Sequence, residues 1–248
     1  MKILLQNDMG LIFSNFLIIM IGACFGSFIK LVIDRRKLGQ SILYPPSHCD
    51  FCGKRLYKRD LIPIFSFIWL RAKCRFCGGK IGYSKILTEI ITALVFFIAF
   101  KSYSGFKLVF IWAGALLGIL ISLTDIDQME VYESDLYILL GLGTIYRLIF
   151  LGFDFLFFKI FLIFVLVFLL IRFLTKNAIG DGDLFFYLGL FLFIESELLV
   201  EFILLSLWMG GIYGLILAIK KRTLKAYMPL CPSIFIAFVL LMIFKDYL

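Results

Sequence analysis

Residues 155–174 read FLFFKIFLIFVLVFLLIRFL, twenty positions in which Lys159 and Arg172 are the only charges. As a helix rising 1.5 Å per residue this stretch is about 30 Å long, the thickness of a bilayer's hydrocarbon core. It has no polar face to turn toward water, so lipid is its natural surrounding. Working outward in both directions, seven further apolar segments follow the same pattern, separated by Gly, Pro and charge. They run approximately over Leu11–Ile33, Ile86–Phe100, Phe106–Leu123, Asp135–Leu151, Leu184–Ile194, Leu198–Ile219 and Leu230–Phe244. The second and sixth spans in chain order are short for a crossing, so each is expected either to begin inside a neighbouring polar segment or to cross where the bilayer is locally thinned. The whole composition agrees: 62% of the 248 residues are hydrophobic, 17% are charged and the mean hydropathy is +1.04. A soluble domain has about 45–50% apolar and about 25% charged residues. A soluble globular enzyme, a disordered chain and a disulfide scaffold are therefore excluded. The expected fold is an all-α polytopic membrane protein of about eight transmembrane helices with one small polar loop domain. No small-residue cleavage site follows the first segment, which reads as a retained span.

Basic residues set the orientation. The segment 34–85 holds Arg35, Arg36, Lys37, Lys54, Arg55, Lys58, Arg59, Arg71, Lys73, Arg75, Lys80 and Lys85. An eight-span model adds Lys30, Arg172, Lys176, Lys220, Lys221, Arg222 and Lys225 to the same face, nineteen of the 25 Lys and Arg. The positive-inside rule makes that face cytosolic. The charge serves topology and attraction to anionic membrane lipid; no aromatic-basic module accompanies it, so nucleic acid is not an expected partner. The domain organisation that follows is a first span at 1–33, a cytosolic loop domain at 34–85 and a transmembrane domain at 86–248.

The loop domain contains Cys49-Asp-Phe-Cys52 and Cys74-Arg-Phe-Cys77. Two such pairs at this spacing are a strong signal for four thiolates around one tetrahedral zinc. Gly53 and Gly78 follow the pairs, where a knuckle turn needs positive φ. The loop is too small and too basic to build a core, and metal binding supplies folding energy. Disulfides belong to an oxidising compartment, which the charge rule disfavours, and redox use of one pair would not need the second. A closed four-thiolate site leaves no open position for catalysis, so the zinc is structural. His48 is the single histidine and reads as a surface neighbour of the cluster. Cys24 and Cys231 read as buried thiols.

Acidic residues gather at two connections. Asp125, Asp127, Glu130, Glu133 and Asp135 crowd the third-to-fourth one, and Asp181 and Asp183 the fifth-to-sixth. Alternating spans put both on the cytosolic face. A carboxylate at the edge of hydrocarbon is costly and needs a reason. For Asp183 a simple reason is helix N-capping, and for Asp125 an interfacial boundary. A functional reason needs both together, since two carboxylates about 3 Å apart cannot both ionise and one keeps a proton. The ionised member can then draw a proton from water while the protonated one polarises a peptide carbonyl. Gly180 and Gly182 would let a substrate backbone approach closely.

At this point the motifs resemble a known family. Gly22-Ala-Cys-Phe-Gly26-Ser27-Phe28 with Arg35, then Pro46-Ser47-His48-Cys49, Leu61-Ile62-Pro63-Ile64-Phe65-Ser66 and Glu89, are similar to the amino-terminal half of the type IV prepilin peptidases. The likeness continues through Asp125 and the Gly-x-Gly-Asp motif at Gly180–Asp183. The resemblance implies an intramembrane aspartic endopeptidase, with Asp125 and Asp183 as catalytic aspartates. Its substrates would be type IV prepilins or pseudopilins, whose short basic leaders it removes at the cytosolic face of a bacterial cytoplasmic membrane. It also implies N-methylation of the new amino terminus with S-adenosylmethionine, although no methyl-donor fingerprint is visible. Tyr132 and Glu133 stand where the family usually has Pro-Asp, and Phe185 where Lys is common, marking a divergent member. Two other classes of function make different demands: a proton-coupled transporter calls for midplane acids and repeat symmetry, and a non-catalytic assembly scaffold carrying a zinc module calls for no paired acids. Neither matches acids clustered at one interface without repeats.

Overall fold

Each hydrophobic segment becomes one helix. A computed structural model describes residues 2–176, 179–222 and 228–244, with side chains from Gly10 onward. Lys225, one of the residues assigned to the basic face, lies outside the described residues. Among them the helices are α1 (Lys2–Lys37), α2 (Phe65–Trp69), α3 (Tyr83–Ser102), α4 (Gly105–Gln128), α5 (Glu133–Phe150), α6 (Phe155–Leu174), α7 (Asp181–Phe191), α8 (Leu199–Lys221) and α9 (Cys231–Phe244). Short 3-10 turns occupy Lys58–Leu61 and Ser196–Leu198, and the described residues contain no β-strand, only isolated bridges. Five helices, α1, α3, α4, α6 and α8 (its span reaching back to Ser196), are long and apolar enough to cross a membrane. Of the other three expected spans, α5 carries Glu133, Asp135 and Arg147, while α7 and α9 have 11 and 14 residues.

Ends differ from the sequence expectation where charge or backbone chemistry decides. α1 runs past Ile33 to Arg35, Arg36 and Lys37, because cations complement the negative end of the helix dipole. α7 starts three residues before Leu184 and stops at Phe191, so it is only about 17 Å long.

Contacts divide the chain into two compact units, Met1–Lys101 and Ser102–Leu248. In the first, α1 lies directly on α3. A Cβ at Gly22 would stand 2.8 Å from Cα of Ala93, and one at Gly26 would stand 2.8 Å from Cα of Glu89. Small residues four apart thus permit backbone contact between two spans, where lipid offers no hydrophobic driving force. Arg35 turns from α1 to the following loop and donates to the carbonyls of Ser41 (2.9 Å), Ile42 (2.8 Å) and Pro45.

In the second unit α5 and α7 pack through glycines. A Cβ at Gly189 would meet Leu139 at 2.7 Å, and one at Gly143 would meet Leu192 at 2.8 Å. Phe164 and Phe202 meet Tyr187 and Phe191 of α7 in tilted and edge-to-face ring contacts. Short α7 leaves carbonyls ending inside the protein, and Arg147 of α5, 0% exposed, meets them. It donates to Ile194 O (2.8 Å), Phe191 O (3.3 Å) and Ser196 Oγ (2.6 Å), and it pairs with Asp154. Its guanidinium also lies 3.6 Å from the ring centre of Phe157. Membrane-embedded backbone must be satisfied internally, and here a buried cation does it.

Candidate active site

Three helix ends meet in the second unit: the last turn of α4, the first turn of α7 and the first residue of α9. Asp125, Asp183 and Cys231 come from these ends, and one ligand-type atom of each lies within 4.8 Å of the others. Asp125 is buried, 7% exposed, and Asp183 is half-buried. The backbone N–H of Cys231 donates to Asp125 Oδ2 at 3.0 Å, and its thiol donates to Asp183 Oδ1 at 3.5 Å. Ser122 Oγ, one turn before Asp125, donates to the Cys231 carbonyl at 3.2 Å and ties α4 to α9 a second time. Gly118 lets the Phe235 ring lie directly on α4, which brings the start of α9 to this depth.

Asp183 is not the N-cap that its position suggested. Gly180 caps α7 and Asp183 is the third helical residue, with Oδ2 3.5 Å from where a Gly180 Cβ would be. Its carboxylate instead reaches back to accept the Gly180 N–H at the start of the helix, and its other side faces Cys231. Neither Gly180 nor Gly182 has positive φ. Gly182 is instead a packing position, since a Cβ there would stand 3.2 Å from Val131 Cβ. Asp127 is exposed, and Asp181 is ion-paired with Arg172 and 60% exposed. Cys231 is the residue that sequence reasoning missed. Its one available signal was the placement of a cysteine beside Pro232 at the opening of a span, at the same face as the acids.

In the first unit Cys49, Cys52, Cys74 and Cys77 form a cluster with all four sulfurs within 4.8 Å. Cys49 Sγ and Cys77 Sγ are 3.8 Å apart, and thiolates about 2.3 Å from a tetrahedral ion are about 3.8 Å from one another. Gly53 and Gly78 have φ of +67° and +69°, as the knuckles require. N–H groups of Phe76 and Gly79 point at Cys74 Sγ and Cys77 Sγ, both at 3.4 Å. Hydrogen bonds from the Cys77 and Phe76 backbone bring the Cys74 thiol down to about 7. Cys77, despite the Gly79 N–H, is pushed up to about 11 by desolvation and its thiol neighbours, so Cys74 is the first of the two to ionise. The donor set fits a metal ion. His48 bonds the Pro46 carbonyl at 3.0 Å through Nδ1 and stands outside the ligand group. Behind the second knuckle Asp60 accepts from Arg75 at 2.7 and 3.0 Å, which holds the Asp60 carboxyl below its usual range.

Glu89 of α3 is buried and accepts the Ile64 N–H at 2.7 Å. It lines a cavity of about 570 Å³ with Ser27, Lys30, Asp34, Arg35 and Lys85.

Comparison with known proteins matches residues 20–103 to the bacterial peptidase A24 N-terminal domain and residues 112–215 to the type IV leader peptidase family. A prepilin leader peptidase/N-methyltransferase of Bacillus subtilis is 28% identical over 239 residues, 91% of this chain and 92% of that protein. One from Myxococcus xanthus is 38% identical over 123 residues, 50% of this chain and 36% of its own length. One from Dickeya chrysanthemi is 32% identical over 136 residues, 44% of this chain and 47% of its own length. The match to the last two thus spans less than half of either. No solved structure matches the chain.

Proposed function

Because the chain belongs to the type IV leader peptidase family, we propose that it is a membrane-embedded aspartic endopeptidase that removes the short basic leaders of type IV prepilins or pseudopilins. The observation that carries this reading is the meeting of Asp125 and Asp183 across two spans that are far apart in sequence. Carboxylates with oxygens within 4.8 Å of one another repel when both are charged, which favours one of them keeping its proton. The ionised one takes a proton from a water lying between them, and that water attacks the scissile carbonyl. The protonated one donates to the carbonyl oxygen as charge develops, then the pair returns a proton to the departing amine. Cys231 holds both acids in register, one through its backbone and one through its thiol. Gly180 and Gly182, at the entry of α7 beside the acids, mark the edge past which an extended substrate would run. Basic loops on the same side of the alternating spans orient the acids to the cytosol of a bacterial cytoplasmic membrane, where the leader of a pilin precursor would lie.

In this reading residues 34–85 form a cytosolic metal-binding domain and residues 86–248 carry the peptidase. The four thiolates would hold zinc, which contributes folding energy and takes no part in the hydrolysis.

A second activity, N-methylation of the newly exposed amino terminus, is favoured by the cavity beside Glu89. Its volume is in the range of small-molecule sites. Glu89 offers an acid to the cationic sulfonium or amine of S-adenosylmethionine, and the Lys30–Asp34 ion pair on the same wall, 2.6 Å apart, would have to open to meet its amino-acid end. When bound, that cofactor would supply the methyl group.

The test is co-expression with a pilin precursor and mass spectrometry of the product, which reads the cut position and any added methyl together. Asp125→Asn and Asp183→Asn should each lower cleavage by at least about 10³-fold while the protein still inserts. Cleavage retained in either variant refutes the aspartic assignment.

A further inference from the structure

Between the cysteine pairs the chain is more apolar than a solvated loop needs to be. Leu61, Ile62, Phe65, Ile68 and Trp69 are all exposed, Trp69 by 83%. Their spacing of three and four residues sets them along one side of α2 and the turn that leads into it. The other side is engaged: Phe67 packs on Tyr83 with ring centres 5.8 Å apart, and Pro63 is buried. Cations flank the apolar face at both ends, Lys58 and Arg59 before it and Arg71 and Lys73 after it, all exposed. Asp60 is the only acid between 58 and 73, and it is committed to Arg75. The face therefore presents uncompensated positive charge around a hydrophobic centre.

Its depth is fixed by a spanning helix. The Ile64 N–H is bonded to Glu89, six residues and about 9 Å along α3 from Tyr83. Since α3 is one of the helices able to cross a membrane, a segment tethered within two turns of its end lies at headgroup level. Ile64 adopts φ 62° and ψ −54° at that tether, a conformation unfavourable for a β-branched residue and one that aims its N–H at the buried carboxylate.

We propose that α2 is an interfacial anchor, with Phe65, Ile68 and Trp69 seated at the boundary of headgroups and acyl chains and the four flanking cations on the phosphates of an anionic leaflet. An amphipathic segment with Trp on its apolar side and Lys and Arg around it has the composition of a membrane-surface element. The metal-binding loop is on this account pinned to the bilayer between its two knuckles and does not hang free in the cytosol.

The experiment uses the full-length, zinc-loaded protein in vesicles of phosphatidylcholine with phosphatidylglycerol. The chain has three Trp, and a Trp112→Phe/Trp208→Phe background leaves Trp69 as the sole emitter. Should that background not yield zinc-loaded protein, the spectrum of the native chain minus that of Trp69→Phe gives the same quantity. Acyl chains brominated near the headgroup should quench Trp69 at least twofold, and acrylamide should quench it less than it quenches free tryptophan. Undiminished emission in brominated lipid overturns the proposal. Shielding of Trp69 only when a pilin-like peptide is added overturns it in favour of a substrate-docking face. Equal quenching in vesicles of phosphatidylcholine alone overturns the assignment to anionic lipid.

Discussion

Cys231 connects to both carboxylates by different atoms, so its two roles can be separated. Alanine keeps the N–H that reaches Asp125 and removes only the thiol that reaches Asp183. A net hydrogen bond to a charged group contributes about 1.5–3 kcal/mol, and the 3.5 Å sulfur contact belongs at the low end. Cys231→Ala should therefore reduce kcat on a pilin-like peptide about tenfold with KM little changed, and Cys231→Ser, which restores a donor, should recover much of it. Equal rates for the native protein and Cys231→Ala would show that the thiol does not position Asp183. At this scale the sequence exposed the acids and hid their partner. Carboxylates beside apolar spans are anomalous anywhere along a chain, so Asp125 and Asp183 stand out without any fold. A cysteine at the start of an apolar helix is ordinary. Only the folding of α9 against α4, through Gly118 and Phe235, makes it part of the site. The glycines at 180 and 182 show the converse: their spacing suggested backbone freedom, and their actual dihedrals and the Val131 contact show ordinary helix entry and close packing.

Helix contacts in this chain rest on missing side chains and on one cation. Gly26 faces backbone atoms of α3, which cannot swing aside as a side-chain tip can. Gly26→Val should separate α1 from α3 and cost about 1–3 kcal/mol, read as a lower unfolding midpoint in mixed micelles; an unchanged midpoint would mean that the two spans are not held by this contact. Arg147 does for the end of α7 what water does for a solvated helix. Arg147→Leu leaves the Phe191 and Ile194 carbonyls without their donor and should cost about 2–5 kcal/mol. Lysine should rescue it poorly, because one ammonium cannot reproduce the planar fork. The same cluster has a pH signature outside the membrane. The Ser196 hydroxyl, helped by Arg147, holds the Asp154 carboxyl below its usual range. A depressed folded value means that the ionised group stabilises the fold above the unfolded value of about 3.9 and loses that contribution as pH falls through the folded one. Native protein should accordingly exceed Asp154→Asn in stability near neutrality, and the gap should close below about pH 4. A gap independent of pH would assign the effect to packing. Existence of the spans was legible because lipid demands apolar length. That α7 begins inside the polar stretch before Leu184 was legible too, from the shortness of its apolar segment. Its end at Phe191 was not, since that depends on where Arg147 meets the last carbonyls, a tertiary fact.

The molecule as a whole divides into units that owe their order to different forces. Residues 102–248 are held by helix packing and the Arg147 cluster, whereas the loop within residues 1–101 has few buried apolar side chains between Gly39 and Gly82. The paired CxxC spacing made the metal-binding character of that loop readable, since four thiols at fixed intervals have few uses in a reducing compartment. Its apolar face on α2 was not readable, because Leu61–Trp69 is too short to register as a span and gains meaning only from the bond between Ile64 and Glu89. Structural zinc contributes roughly 10 kcal/mol or more to domains of this size, far above what the loop's own packing supplies. Its removal should therefore act on one unit before the other. Chelation of the full-length protein, or Cys49→Ser, should increase hydrogen exchange across residues 47–82 by orders of magnitude, with zinc content falling in parallel. Exchange in α4, α5 and α7 should stay close to native, because none of the four thiolates lies in that unit. Protein isolated without zinc yet protected across both knuckles would overturn the metal assignment. Loss of protection in α4 and α7 at the same chelator concentration would show instead that the two units unfold as one.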